Sequence, residues 1–192
     1  VPPPGTELWW YLTAMCLAVV VIGIAKAGFG GGIGILAVPL TANALPADRA
    51  IGVMLPILIV ADIFSSLHHT KHRSWPHLRW LLGGAVVGIA IGSVVLAVLR
   101  DTAGLAAVLS ALVGGTCLVM VIVQCLRLAG YEVARIPPGP WGGRGTGLVS
   151  GIASTVAHAA GPIASIYLLE QKLDKMRHVG TMVLLFFAIN LL

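Results

Sequence analysis

The chain has 192 residues, of which 58% are hydrophobic and only 10% are charged. A soluble domain is closer to half apolar and a quarter charged, so this composition excludes an ordinary soluble protein and predicts an integral membrane protein. The net charge of +5 does not indicate nucleic-acid binding, because the basic residues are few and are confined to short loops.

Four uninterrupted apolar runs are each about long enough to cross a bilayer, which takes about 20 helical residues. They comprise residues 8–25, 50–67, 78–99 and 103–128, and a fifth run begins near His178. The predicted fold class is therefore an all-α integral membrane protein. Because no polar residue follows the last apolar stretch, we expect the natural protein to continue beyond Leu192.

Two further apolar segments are interrupted by glycine and proline. Residues 26–40 read KAGFGGGIGILAVPL, and residues 147–169 read GLVSGIASTVAHAAGPIASIYLL. A bilayer has no water to satisfy a broken helix, so such breaks persist where they border a cavity inside the protein. One break in each half of a chain is typical of a transporter's binding site. The pieces 33–42 and 157–169 are predicted to be half-helices or re-entrant hairpins.

The charges of the loops predict how the chain is threaded. Loops 68–79, 127–144 and 170–177 are rich in Lys and Arg, whereas the charges at 48–49 and 100–101 balance. The positive-inside rule places the three basic loops in the cytoplasm and the balanced ones outside. The second half then enters the membrane from the side opposite to the first.

The two halves also resemble each other in sequence. Gly28 precedes Pro39 by eleven residues, as Gly151 precedes Pro162. Farther along, Gly52 and Gly180 correspond, and ten residues beyond them lie Asp62 and Asn190. Together with opposite entry sides, this predicts inverted-topology repeats with Gly/Pro-broken or re-entrant helices. The predicted divisions are residues 1–129 for the first repeat, 130–145 for a cytoplasmic linker and 146–192 for an incomplete second repeat.

The first broken segment favours an anion site made of backbone. Glycine lets a backbone approach a ligand closely, and the amides of an unwound loop and of a following half-helix attract an anion. Lys26 is either the anion's partner or a side chain that snorkels to the interface. Small-xxx-small helix packing is the alternative role for these glycines, and it is the predicted role of Gly84, Gly88 and Gly92. The candidate substrate-binding residues here are Lys26, Gly28, Gly30, Gly31, Gly32 and Pro39.

The second broken segment offers side chains. The hydroxyls of Ser154 and Thr155 can coordinate an oxyanion without adding charge, and His158 can donate to one and titrate near neutral pH. Alternatively, the hydroxyls bond back to their own helix and His158 is a buried histidine with satisfied hydrogen bonds. The matching break in the first half favours the binding role. Gly161 and Pro162 complete this candidate set and are the predicted point of interruption.

Asp62 lies in the middle of an apolar run, where an acid is expected to face the protein interior or a cavity. It could pair with Lys26, relay protons or cap an unwound segment, and the sequence does not choose between these roles. Asp62 and His158 are the candidates for coupling a proton to transport.

Neither an enzyme nor a metal site is indicated. The sequence lacks the HExxH, GxSxG and Walker A signatures. A group of histidines in loop 68–79 is better explained as part of a solvated basic loop than as a metal site, because no Cys or acid accompanies it. No metal and no cofactor is therefore predicted.

The segment GFGGGIGILAVPL with the following AIGVMLPILIVADIF resembles the first repeat of the TauE/SafE family of sulfite exporters. The segment STVAHAAGPIASIYLLEQKLDK with VGTMVLLFFAIN resembles that family's second repeat. The resemblance spans about residues 12–192. It implies an all-helical fold of two inverted repeats in a bacterial inner membrane. It also implies transport of small sulfur oxyanions or organosulfonates.

The predicted function is secondary transport, as an exporter, of a small sulfur-containing anion held near the membrane midplane between the two broken helices. The predicted partners are this anion and the lipid bilayer, with no nucleic acid, and formation of a homo-oligomer stays open. Two other functions remain as alternatives. One is a passive anion channel, and the other is a non-transporting subunit of a membrane complex.

Overall fold

A computed structural model of the chain describes residues 8–28, 41, 47–69, 71–99, 105–131 and 136–192. Within these residues the chain is helical, without any strand. In chain order the helices are α1 (Leu8–Gly28), α2 (Ala47–His69), α3 (Trp75–Leu99), α4 (Leu105–Leu128), α5 (Pro140–Ala157), α6 (Ala160–Glu170) and α7 (Lys175–Leu191).

The first four helices begin and end within about three residues of the four predicted apolar runs, as expected when long apolar segments satisfy their backbone internally. Among the described residues, Gly52–His69 in α2 and Trp75–Val98 in α3 are long and apolar enough to cross a membrane. The apolar part of α1, Leu8–Ile24, is shorter. The prediction of an all-helical fold is confirmed.

The packed interior has two apolar clusters. The larger lies between α3, α6 and α7 and includes the fully buried side chains of Leu81, Tyr167 and Leu185. The smaller joins Ala18 and Ile22 of α1 to Met54 of α2 and to Ala159, which lies between α5 and α6. The second cluster places the C-terminal half of α1 beside the interruption of the second apolar segment.

Helices α3 and α5 pack through glycines and run parallel. A Cβ atom on Gly84 would overlap the carbonyl oxygen of Arg144, and one on Gly88 would overlap that of Leu148. One turn farther along, a Cβ on Gly92 would lie 2.9 Å from the Cβ of Thr155. Residue numbers increase together along both helices, so both begin at the same end of the molecule. The predicted packing role of these three glycines is confirmed.

Helices α2 and α7 run antiparallel. Near the end of α2, a Cβ on Gly180 of α7 would overlap the carbonyl oxygen of His72. The backbone N–H of Ser74 donates to Oγ1 of Thr181 over 2.9 Å. Farther into the molecule, Asp62 of α2 bonds to Asn190 of α7. Increasing numbers on α7 therefore meet decreasing numbers on α2.

These contacts bring the three basic loops to one end of the molecule, as their charges predict. The loop before α3 contacts the start of α7 through Ser74 and Thr181. The start of α5 lies beside the start of α3, because a Cβ on Gly143 would lie 2.7 Å from the Cβ of Trp80. The hydroxyl of Tyr167 on α6 also donates to the carbonyl of Gly139 over 3.1 Å.

The second broken segment is interrupted earlier than the sequence predicts. Helix α5 ends at Ala157 and α6 begins at Ala160, so the break falls at His158 and Ala159 rather than at Gly161 and Pro162. Pro162 lies in the first turn of α6, where a missing N–H removes no helical hydrogen bond. The expected short helix is present, since α6 has 11 residues. The counterpart segment in the first half, residues 29–40, lies outside the described residues.

Candidate functional site

A cavity of about 220 Å³ borders the break between α5 and α6. This volume far exceeds the roughly 15 Å³ that one water molecule needs. Its described wall carries polar groups from three helices: Ser93 of α3, Ser154 and Thr155 at the end of α5 with the adjoining His158, and Asn190 of α7. Apolar side chains, including Leu55 and Ile89, complete the wall. Such a small set of polar groups in an apolar cavity is typical of a ligand site.

His158 is placed at the cavity by an unusual backbone conformation. Its φ of 48° and ψ of 33° are left-handed, a conformation that ends many helices but usually falls on glycine. The N–H of His158 donates to the carbonyl of Ser154 over 2.9 Å, and the N–H of Ala159 donates to that of Ala153 over 3.2 Å. The left-handed turn therefore ends α5 while keeping these two backbone groups satisfied. Non-glycine residues held this way cost about 1–3 kcal/mol and cluster at functional sites.

The two hydroxyls before the break have different surroundings. Ser154 is buried on α5. Thr155 is half-buried, and its Oγ1 donates to the carbonyl of Gly151 over 3.0 Å. For Thr155 the structure thus contains the back-bonding that the alternative interpretation predicts. A hydroxyl oxygen that donates in this way can still accept hydrogen bonds through its lone pairs.

Pro56 changes the wall on the side of α2. It lies inside the helix without ending it. Because proline has no N–H, the carbonyl of Gly52 loses the donor that an α-helix normally supplies four residues later. Gly52 is one of the residues that line the cavity. The carbonyl that lacks its usual helical donor therefore belongs to a residue of the cavity wall.

Asn190 connects the cavity to the buried acid on α2. Its Nδ2 donates to Oδ2 of Asp62 over 2.6 Å. Asp62 is fully buried and Asn190 is 9% exposed. Asn190 lines the cavity and Asp62 does not, so the carboxylate lies behind the amide as seen from the cavity. Of the three roles that the sequence left open for Asp62, none included this contact.

The structure brings together part of the predicted site. Ser154, Thr155 and His158 all line the cavity. Gly161 and Pro162 are buried in the first turn of α6 and are not among the residues that line it. Lys26 and Gly28 belong to the last turn of α1. The remaining predicted residues lie outside the described residues: Gly30, Gly31, Gly32 and Pro39.

Sequence reasoning missed the apolar residues of the wall, and it also missed Gly52, Ser93 and Asn190 in this role. Ser93 directly follows Gly92, and the glycine spacing of that helix indicated packing alone. A lone hydroxyl in an otherwise apolar helix was the signal that could have identified it.

Two histidines of the basic loop have local partners. Nδ1 of His69 lies 3.1 Å from the carbonyl oxygen of Ser65, and Nδ1 of His77 lies 2.7 Å from Oγ of Ser74. Within the described part of the chain, no group of three or more His, Cys, Asp or Glu residues is arranged to hold a metal ion.

Comparison with protein families identifies the chain. The family model for the sulfite exporter TauE/SafE matches residues 15–192. No curated protein and no solved structure matches it significantly. The family match covers nearly the whole chain, including the apolar helices α2 and α3 and every described residue of the cavity wall. The chain therefore belongs to the sulfite exporter TauE/SafE family of membrane transporters.

Proposed function

We propose that the protein is a secondary transporter that exports a small sulfur-containing anion, such as sulfite or an organosulfonate, across a bacterial inner membrane. The observation that carries this proposal is the cavity at the break between α5 and α6. Its described wall has hydroxyls, an imidazole and an amide, and none of these wall residues is acidic. The family match supplies the class of substrate.

The donors at the break suit an oxyanion. The hydroxyls of Ser93 and Ser154 and the ring of His158 can each offer hydrogen bonds without placing a fixed charge in the bilayer, whereas the hydroxyl of Thr155 would first have to release the carbonyl of Gly151. Helix α6 begins at Ala160, two residues after His158, and its N-cap residue is an alanine without a capping side chain. The N–H groups of Ala160 and Gly161 have no acceptor within the helix, as at other helix N-termini that bind anions, but neither residue is among those that line the cavity.

The first half completes the site in this proposal. Lys26, Gly28, Gly30, Gly31, Gly32 and Pro39 would form the facing wall, with Lys26 attracting the anion. The packing of Ala159 with Ala18 and Ile22 supports this arrangement. Helix α1 continues only six residues beyond Ile22, about 9 Å at the helical rise, before the glycine segment begins.

The two walls would belong to inverted repeats, residues 1–129 and 146–192, joined by a cytoplasmic linker at 130–145. The antiparallel course of α2 and α7 supports this symmetry. So does the hydrogen bond between Asp62 and Asn190, which correspond in sequence. Residues related by a two-fold axis meet where that axis passes, and in transporters with inverted repeats the substrate binds near it.

His158 is the first candidate for coupling a proton to export, since it lines the cavity and histidine titrates near neutral pH. Asp62 is the second candidate, one hydrogen bond behind the wall. The variant His158→Asn tests the proton-carrying role without changing the backbone, because Asn tolerates the left-handed conformation but does not titrate. We expect His158→Asn to retain flux but to lose its response to a pH gradient.

The test is uptake of radiolabelled sulfite, sulfoacetate and sulfate into proteoliposomes, with and without a pH gradient. We expect sulfur-anion flux driven by the gradient. Ser154→Ala should lower it about tenfold by removing a donor, whereas Ser110→Ala, an exposed serine on α4, should leave it unchanged. Flux that ignores the gradient would indicate a passive channel. The absence of flux for every anion would indicate a non-transporting subunit and would reject the proposal.

A further inference from the structure

The hydrogen bond between Asp62 and Asn190 connects the wall of the cavity to a buried carboxylate. The Nδ2 of Asn190 lies 2.6 Å from Oδ2 of Asp62, the short distance of a charge-assisted bond. Both residues are buried, and only Asn190 borders the cavity. An acid and an amide therefore occupy corresponding positions in the two halves, with the amide toward the cavity.

The carboxylate determines how the amide is oriented. An ionised carboxylate can only accept hydrogen bonds, so only the NH₂ end of Asn190 can face Asp62. One N–H of that group is used by Oδ2, and the second N–H of the same nitrogen is the donor that the amide has left for another partner. Without an acceptor-only partner at position 62, either end of the amide could face that position.

The charge of the cavity wall also depends on which of the two residues borders the cavity. A carboxylate directly on the wall would repel an anion, and at about 4 Å this repulsion is large even at an intermediate dielectric constant. The amide keeps that charge one side chain farther away and offers the anion a donor. Exchanging the two residues would preserve a hydrogen bond between an amide and a carboxylate but would place the carboxylate on the cavity wall.

We propose that Asn190 contacts the transported anion and that Asp62 is a positioning residue, which orients the amide while being screened from the cavity by it. This inference rests on the proposed function, because it assigns a role in binding the same anion. It gives Asp62 a task other than carrying a proton. It also explains why the two corresponding positions differ, since a carboxylate on α7 would lie on the cavity wall.

The exchange variant Asp62→Asn/Asn190→Asp tests the screening of the charge. The variant keeps an amide that donates to a carboxylate, and its accumulation in membranes and its melting are measured first to establish that it is folded. Its KM for sulfite uptake should rise about a hundredfold, because the carboxylate now borders the cavity. Wild-type KM in the folded exchange variant would overturn the inference. Wild-type flux is measured first, so that its absence rejects the proposed function and not merely the role of the pair.

The single variant Asp62→Asn tests whether Asp62 orients the amide of Asn190. It provides this test even if the exchange variant does not fold. Removal of repulsion alone would lower KM for the anion. Replacing the acceptor-only carboxylate by an amide, which can face Asn190 with either its oxygen or its NH₂ group, should instead raise KM about threefold with Vmax within about twofold. A lower KM would overturn the inference. Flux that no longer responds to a pH gradient would overturn it too, by making Asp62 the proton carrier. Glu170→Gln, which removes an exposed acid, is the control for charge.

Discussion

Two helix contacts in this molecule are built by opposite means. Helices α3 and α5 run parallel and meet through glycines, so that the backbone of one lies against the backbone of the other. Helices α2 and α7 run antiparallel and are joined by directional hydrogen bonds, from Asn190 to Asp62 and from Ser74 to Thr181. The first contact depends on shape, and the second depends on polar partners.

The two kinds of contact are expected to differ in their tolerance to substitution. In a bilayer, helices gain nothing from burying apolar surface against each other, so a glycine contact is held by close packing. Adding even one carbon atom to it is costly. A polar contact tolerates changes of shape better but fails when one partner is removed and the other is left buried. Both contacts reach the cavity, through Thr155 on one side and Asn190 on the other.

The largest expected effect comes from adding a methyl group to the glycine contact. In Gly84→Ala the new Cβ would overlap the carbonyl oxygen of Arg144, a backbone atom that cannot move aside. We expect a loss of about 3 kcal/mol, or about 10 °C in melting temperature of the detergent-solubilised protein. The neighbouring Gly83→Ala is the matched control, since nothing lies within 4 Å of its Cβ position. Equal melting temperatures for the two variants would contradict the contact.

The next effect concerns the polar contact. Oγ1 of Thr181 accepts from the N–H of Ser74 and donates to the carbonyl of Arg177 over 2.6 Å. Thr181→Val keeps the shape but leaves that N–H without its acceptor, at a cost of about 1–2 kcal/mol in the free energy of unfolding. Thr13→Val is the control, because Oγ1 of Thr13 donates to the carbonyl of Trp9 in its own helix on an exposed surface. Thermal melting of both variants is the measurement, and a stable Thr181→Val protein would show that this contact is not held by its polar groups.

How far the sequence predicts this molecule depends on the kind of contact. The regular spacing of Gly84, Gly88 and Gly92 predicted their packing role. The charges of the basic loops predicted that these loops lie at the same end of the molecule. The predicted position of the break was wrong by three residues. Pro162 is tolerated in the first turn of a helix, so it does not mark the break. His158 adopts a left-handed backbone conformation that its residue type does not predict. Asp62 and Asn190 were paired by position in the repeat. Their contact depends on how α2 and α7 rotate and pack, which one-dimensional spacing does not contain.

A smaller effect connects the glycine contact to the cavity. A Cβ on Gly92 would approach the side chain of Thr155 rather than a backbone atom. Because this approach is less close than the overlap at Gly84, a small shift between the two helices relieves it, and Gly92→Ala should cost only about 1 kcal/mol. Thr155 lines the cavity, so its displacement should raise the KM for sulfite in the proteoliposome assay. A melting temperature as low as that of Gly84→Ala would indicate that this end of the contact is as rigid as the middle.

The smallest effect tests whether the α3–α5 side of the molecule depends on hydroxyls at all. Ser150 on α5 is fully buried, and its Oγ has no hydrogen-bond partner among the described residues. A buried hydroxyl without a partner is destabilising, so Ser150→Ala should leave the melting temperature unchanged or raise it by the equivalent of about 0.5 kcal/mol. Ser110→Ala, on an exposed surface of α4, provides the baseline. A loss of more than about 1 kcal/mol would mean that Ser150 makes a hydrogen bond with a segment beyond the described residues. The contact between α3 and α5 would then rest on polar partners as well as on shape, and the contrast with α2 and α7 would be one of degree.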